Sequence, residues 1–159
     1  MRVWRICKRR YAGVSFSGEG ARLFSGRWNP SGVPIVYSSL SLSLAAMEVF
    51  VHLEPMMAPN DLVSVMAELP IEEQHAERID LKKLPRDWRR IDHPVLQGIG
   101  EKWARSGRSL VLLVPSIAVL GEWNALINPA HPDAAKIRIE AAKLFQFDAR
   151  MFRSRQGMK

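Results

Sequence analysis

The segment 42–53 constrains the fold more than any other part of this chain. Leu42, Leu44, Ala45, Ala46, Met47, Val49, Phe50, Val51 and Leu53 surround a single carboxylate, Glu48. Ser39 or Ser41 can cap a helix here, and Pro55 stops it after about Leu53. A helix with almost no polar face is expected to be buried. A carboxylate inside such a helix is costly unless it is paired or neutral. Pairing would fall to His52, one helical turn later. The functional alternative is a carboxylate that binds a sugar hydroxyl or stabilises positive charge developing on a substrate. Glu48 and His52 could also share a metal, but neither an HExxH pattern nor a cysteine cluster accompanies them, so no metal is expected.

Two other side chains precede Glu48 at spacings of eleven and ten, Tyr37 and Arg27. Arg27 closes a long loop over residues 12–32 that holds Gly13, Gly18, Gly20, Gly26 and Gly32. Loops of that length inside a compact domain are usually functional. Arg27, with Arg22 nearby, offers a fork for phosphate or carboxylate, or else pins the loop by a salt bridge. Tyr37 ends the short strand Pro34–Ser38 and presents an aromatic face and a hydroxyl, whether to the core or to a ligand. Neither a complete GxGxxG fingerprint nor a Walker A sequence occurs, which excludes Rossmann-type and P-loop nucleotide binding. Ser116 follows Pro115 at a strand end but lies in no GxSxG elbow, so it is not expected to be a hydrolase nucleophile.

The remaining pattern predicts strands at Val3–Cys7, 61–69 and Ser109–Val114, the last fully apolar and therefore central. A helix is expected over Pro94–Ala104, ending near Gly107, and a last strand or pair of strands over Ile137–Ala149, broken near Ala141–Lys143. Residues 121–133 (GEWNALINPAHPD) read as turns, with His131 ordering the loop, and the charged stretch 72–90 as exposed loops. Strands and helices do not alternate regularly, so the expected class is α+β with a mixed or mostly antiparallel sheet. The expected organisation is one domain over residues 1–150 and a basic, frayed tail over 151–159.

Charge is uneven. The net is +7, yet residues 1–27 carry +6 and residues 48–92 carry −4. A basic N-terminal third suits phosphate-bearing ligands, nucleic acid or an acidic protein partner, although no nucleic-acid-binding motif accompanies it. One cysteine, Cys7, cannot form an internal disulfide and is expected to be structural. Lacking a signal-like segment and a run long enough to span a bilayer, the protein is expected to be cytoplasmic.

Taken together, Arg5 in the first strand, GARLFSGRWN (20–29), VYSSLSLSLAAMEVFVH (36–52), VPS (114–116), EWNALINPAHP (122–132) and FDAR (147–150) resemble the RES-domain toxins of bacterial toxin–antitoxin pairs. The resemblance extends over nearly the whole chain. It implies a fold like that of the ADP-ribosyltransferase toxins, with a cleft between strands that holds NAD. The family's essential arginine, tyrosine, glutamate and serine fall on Arg27, Tyr37, Glu48 and Ser116. Many members carry two glycines before the RWN, where this chain has Ser25-Gly26. The resemblance further implies consumption of NAD, by hydrolysis, by phosphorolysis or by transfer of ADP-ribose to a protein. It also implies an Xre-like helix-turn-helix antitoxin as partner, with a homo-oligomer within the toxin–antitoxin complex as one arrangement. In that frame Glu48 would face the ribose, Arg27 and Arg22 the phosphates, and Tyr37 and Ser116 the nicotinamide. The competing reading is a non-enzymatic basic module for nucleic acid.

Overall fold

A computed structural model describes residues 1–53 and 59–152. Eight strands form one sheet: β1 (Arg2–Lys8), β2 (Val36–Ser39), β3 (Leu62–Glu68), β4 (Glu77–Arg78), β5 (Val111–Pro115), β6 (Trp123–Ile127), β7 (Arg138–Ile139) and β8 (Lys143–Leu144). Their order is β4-β5-β6-β2-β1-β3-β7, with β8 also paired to β3. Every pairing is antiparallel except β4 with β5. Three helices accompany the sheet: α1 (Glu19–Leu23), α2 (Leu42–Phe50) and α3 (Pro94–Ser106). The α+β class with a mixed sheet is therefore as expected.

Period-two alternation builds a core on each face of the sheet. Val111, Leu113, Ala125, Ile127 and Val36 pack on one side with Val3 and Ala67. Leu112, Val114 and Leu126 face the other, where Trp103 and Leu96 of α3 and Trp28 of the glycine-rich loop cover them. Strand β5 is buried at every residue, as a fully apolar strand must be.

Several expectations fail, each for a physical reason. Residues 121–133 are not all turn: β6 lies in the middle of the sheet, between β5 and β2. Turn signals at Gly121 and at Asn128-Pro129 flank its five residues and hide them. Nor is α2 buried. Only Leu44 and Ala45 are fully covered, and Val51 just beyond its end is 53% exposed, although the helix rests against β1 and β2 and its Phe50 packs on Phe147 and Phe152. Ser41 caps it, its Oγ accepting from Leu44 N at 3.1 Å, and it ends at Phe50 rather than Leu53. Pro55, expected to stop it, lies outside the described residues. Beyond the last strand a 3-10 turn, Ala149–Phe152, packs its Phe152 on Phe50 and Phe147. The rest of the expected tail lies outside the described residues.

One irregularity of the sheet positions the site. Strands β1 and β3 register along seven residues and β2 and β6 along four, but β1 meets β2 only at Trp4 opposite Ser39. The two strands splay from that point. The Tyr37 carbonyl, which a longer ladder would have paired, instead accepts a hydrogen bond from Nη1 of Arg5.

Candidate active site

Four segments converge beside this splay. The first is the tetrapeptide Gly26–Asn29, in which each residue has a separate task. A Cβ on Gly26 would sit 2.8 Å from both Asn29 Oδ1 and the Tyr37 hydroxyl, so only glycine permits the approach. The one glycine the geometry demands before Arg27 is the one this chain keeps, with Ser25 in the other position. Trp28 is buried in the core beneath α3. Asn29, fully buried, donates from Nδ2 to the carbonyls of Ala21, Phe24 and Pro30 and accepts from Tyr37 OH at 2.7 Å. With both neighbours fixed, Arg27 reaches the cavity.

Tyr37 has its hydroxyl engaged twice, accepting from Trp28 N at 2.9 Å while donating to Asn29. Burial pushes its phenol well above the ordinary tyrosine value, so it keeps the proton that this arrangement needs. Arg27 donates from Nη1 to the carbonyls of Trp88 (3.1 Å) and Arg90 (3.0 Å), leaving Nε and Nη2 without a hydrogen-bond partner among the described residues. Partial burial draws its guanidinium below the ordinary value, and Glu48, Tyr37 and Asp92 oppose that shift; it remains a cation.

Glu48 does not pair with His52, which is exposed. Its Oε1 instead accepts from Ser116 Oγ at 2.6 Å and from Nδ2 of Asn124. Both donors fall on one oxygen, and Oε2 has no hydrogen-bond partner among the described residues. Ser116 is only 2% exposed and is itself fixed, its Oγ accepting from Val119 N at 3.0 Å. It thereby holds the Glu48 carboxylate in place. Asn124 is oriented in turn by Ser39 Oγ, which donates to its Oδ1 at 2.6 Å.

These groups line a cavity of about 740 Å³ that includes Arg27, Tyr37, Glu48, Asn124, Ile91 and Asp92. Arg5, Tyr37, Glu48 and Asn124 also line a smaller recess of about 180 Å³. A further cavity of about 570 Å³ shares Ser25, Gly26 and Tyr37 with the first and reaches Arg5 and Cys7. Tyr37 thus stands at the junction of three hollows, and volumes of this order suit a small-molecule ligand.

Arg27, Tyr37, Glu48 and Ser116, expected from the sequence, are brought together. Arg22 is not: it forms an exposed pair with Glu19 at 2.5 Å on α1 and lines none of these hollows. Sequence reasoning missed Asn124, which sat in a stretch read as turns. It also gave Arg5 no role, although this half-buried side chain has a buried Nε without a hydrogen-bond partner among the described residues and is drawn below its ordinary pKa by burial. His93 is buried, caps α3 by accepting from Val95 N at 3.3 Å, and contacts Asp87 through Nε2 at 3.2 Å. His131 does order its loop, accepting from Asp133 N. Burial, partly offset by Arg5, pushes the Cys7 thiol up, which disfavours the thiolate a nucleophile requires. Among the described residues no cluster of metal-ligating side chains occurs and no helix is long and apolar enough to cross a membrane.

Comparison with known proteins yields a consistent set of relatives. The RES domain matches residues 2–148. A curated relative from Sphingobium sp. (strain YBL2), the Prs ADP-ribosylating toxin, is 41% identical over 154 residues, spanning 94% of this chain and 96% of its own length. Toxin Res of Photorhabdus laumondii subsp. laumondii is 32% identical over 158 residues, spanning 98% of this chain and 100% of its own. A chain of the solved M. tuberculosis MbcT–MbcA toxin–antitoxin complex superposes with a TM-score of 0.68. It covers 95% of this chain and 86% of that one at 16% identity, a likeness of fold.

Proposed function

The chain belongs to the RES-domain family, and on that footing we propose that it is the toxin of a toxin–antitoxin pair and cleaves the nicotinamide–ribose bond of NAD. The observation that carries the reading is the Glu48 carboxylate, fixed through one oxygen by Ser116 and Asn124 and placed in a cavity shared with Arg27 and Tyr37. Nicotinamide in NAD is a cationic leaving group. When the bond between C1′ and the ring nitrogen breaks, its electron pair neutralises the ring, and positive charge develops on the ribose as in glycoside cleavage. No acid is needed; a fixed negative charge near the ribose is. Glu48 supplies it, with Oε2 available to the ribose. The remaining donors of Arg27 suit the pyrophosphate, and the ring of Tyr37 forms a wall for the nicotinamide. Arg5 adds a second, half-buried cation at the junction of the hollows. Water then bonds to C1′ and releases a proton, or phosphate takes its place.

Chromatography of NAD incubated with the purified protein, with and without phosphate, tests this. Nicotinamide plus ADP-ribose means hydrolysis, a phosphorylated ADP-ribose means phosphorolysis, and intact NAD under both conditions would refute the proposal. Ser116→Ala should retain the fold but lower kcat by roughly 10–100-fold with little change in KM, since a hydrogen bond to a charged group contributes about 1.5–3 kcal/mol. Steady-state kinetics beside a thermal melt would show it; an unchanged kcat would remove Ser116 from the site.

A second reading, transfer of ADP-ribose to a protein, is favoured by the name of the Sphingobium relative and makes Prs the first acceptor to try. Both readings place the protein in the bacterial cytoplasm, neutralised by an antitoxin, for which the resemblance suggests an Xre-like helix-turn-helix protein. A nucleic-acid-binding module would leave the Glu48 network without a purpose.

A further inference from the structure

The strongest feature outside the cavity is the segment from Pro85 to Asp92, which runs along the cavity rim. Arg27 holds it through the carbonyls of Trp88 and Arg90, and its residues Ile91 and Asp92 line the cavity. The buried ring of His93 fixes its beginning through Asp87. Arg86, Arg89 and Arg90 are all exposed. Of the nearby carboxylates, Asp80 pairs with Lys83, Asp87 contacts His93 with Arg90 near enough to help hold its carboxyl low, and Asp92 acts on Arg27 in the cavity. No direct ion pair joins any of the three guanidiniums to a carboxylate among the described residues, and Arg90 acts on Asp87 from a longer distance. Arg89 rests over the Trp88 ring at 5.4 Å, and Ile91, 75% exposed, is the most exposed large apolar side chain among the described residues.

None of the three arginines lines the cavity, so none is placed to hold a ligand that the cavity encloses. Unpaired guanidiniums around an exposed apolar side chain suit a protein-docking rim, where arginine is enriched and charge guides encounter. Position narrows the occupant further. An acceptor of ADP-ribose has to bring its nucleophile to the ribose, and this rim borders the opening.

We propose that Arg86, Arg89 and Arg90, with Ile91, form the docking surface for an acidic face of the protein acceptor. The proposal rests on the ADP-ribosyl-transfer reading, with Prs as acceptor. The test compares the full chain with the Arg86→Ala/Arg89→Ala/Arg90→Ala variant by two measurements: nicotinamide release with water as acceptor, and transfer of label from radiolabelled NAD to purified Prs. Hydrolysis should be unchanged in the variant, which also certifies its fold, while labelling of Prs falls roughly tenfold or more. Wild-type labelling should weaken with added salt far more than hydrolysis does. Undiminished labelling by the variant would overturn the proposal. So would an equal loss of both activities, which would assign the arginines to NAD, or a wild type that hydrolyses NAD without labelling Prs. A wild type that never consumes NAD would instead overturn the reading of the cavity itself.

Discussion

Glu48→Gln is expected to lower NAD cleavage by roughly 10²–10³ while leaving the protein folded. The argument rests on which oxygen is occupied. Ser116 and Asn124 both donate to Oε1, and a glutamine carbonyl accepts the same two bonds in the same place. The side chain is isosteric, so packing against β1 and β2 is undisturbed. What changes is the other end: an NH₂ group replaces Oε2. A partial positive charge then faces the ribose in place of a negative one, at the stage when the ribose itself becomes cationic. The loss should fall on kcat more than on KM, because the ground-state ribose is neutral. Nicotinamide release and a thermal melt on the same preparation suffice. A variant with wild-type turnover would sink the role given to Glu48, whatever else the site does.

How much of this was legible beforehand depended on whether local pattern and tertiary demand agree. Glu48 was legible because a carboxylate among nine apolar residues is a contradiction that a fold must resolve. The manner of its resolution was not: the donors come from Ser116 and Asn124, 68 and 76 residues away. Asn124 was hidden further, since the flanking turn residues of β6 dominate a short window. Arg22 misled for the opposite reason. It lies close to Arg27 in sequence, but Glu19 is three residues away on α1, and a local ion pair captures it. Residues 48–92 sum to a negative charge, yet Glu68, Glu73 and Glu77 among them are paired with Arg2, Arg78 and Arg108. At the cavity rim Arg86, Arg89 and Arg90 outnumber the one carboxylate, Asp92, that lies beside them without an ion pair among the described residues. Net charge along a segment says little about the charge a partner meets.

Gly100→Ala should be the most damaging conservative change in the scaffold. Helix α3 crosses the Gly26–Asn29 loop so closely that a Cβ at Gly100 would lie 1.8 Å from the Trp28 carbonyl oxygen and 2.8 Å from its carbon. Both are backbone atoms, so no rotamer change relieves the overlap. Either the helix or the loop must move, at a cost at or above the upper end of the roughly 1–3 kcal/mol typical of overpacking. Displacing Trp28 also breaks the bond from its N–H to the Tyr37 hydroxyl and shifts Arg27, its chain neighbour. Stability and NAD turnover should therefore fall together, measured by urea unfolding and by nicotinamide release. Gly98, two residues earlier on the same helix, is the control: nothing lies within 4 Å of the position its Cβ would take. Gly98→Ala should raise stability by about 0.4–1 kcal/mol and leave turnover unchanged, because alanine restricts only the unfolded chain there. A Gly100→Ala protein as stable as its Gly98→Ala counterpart would mean that α3 does not rest on the Trp28 backbone. The arginine loop would then depend on the other link from α3, the hydrogen bond from Gln97 Nε2 to the Gly26 carbonyl at 3.1 Å.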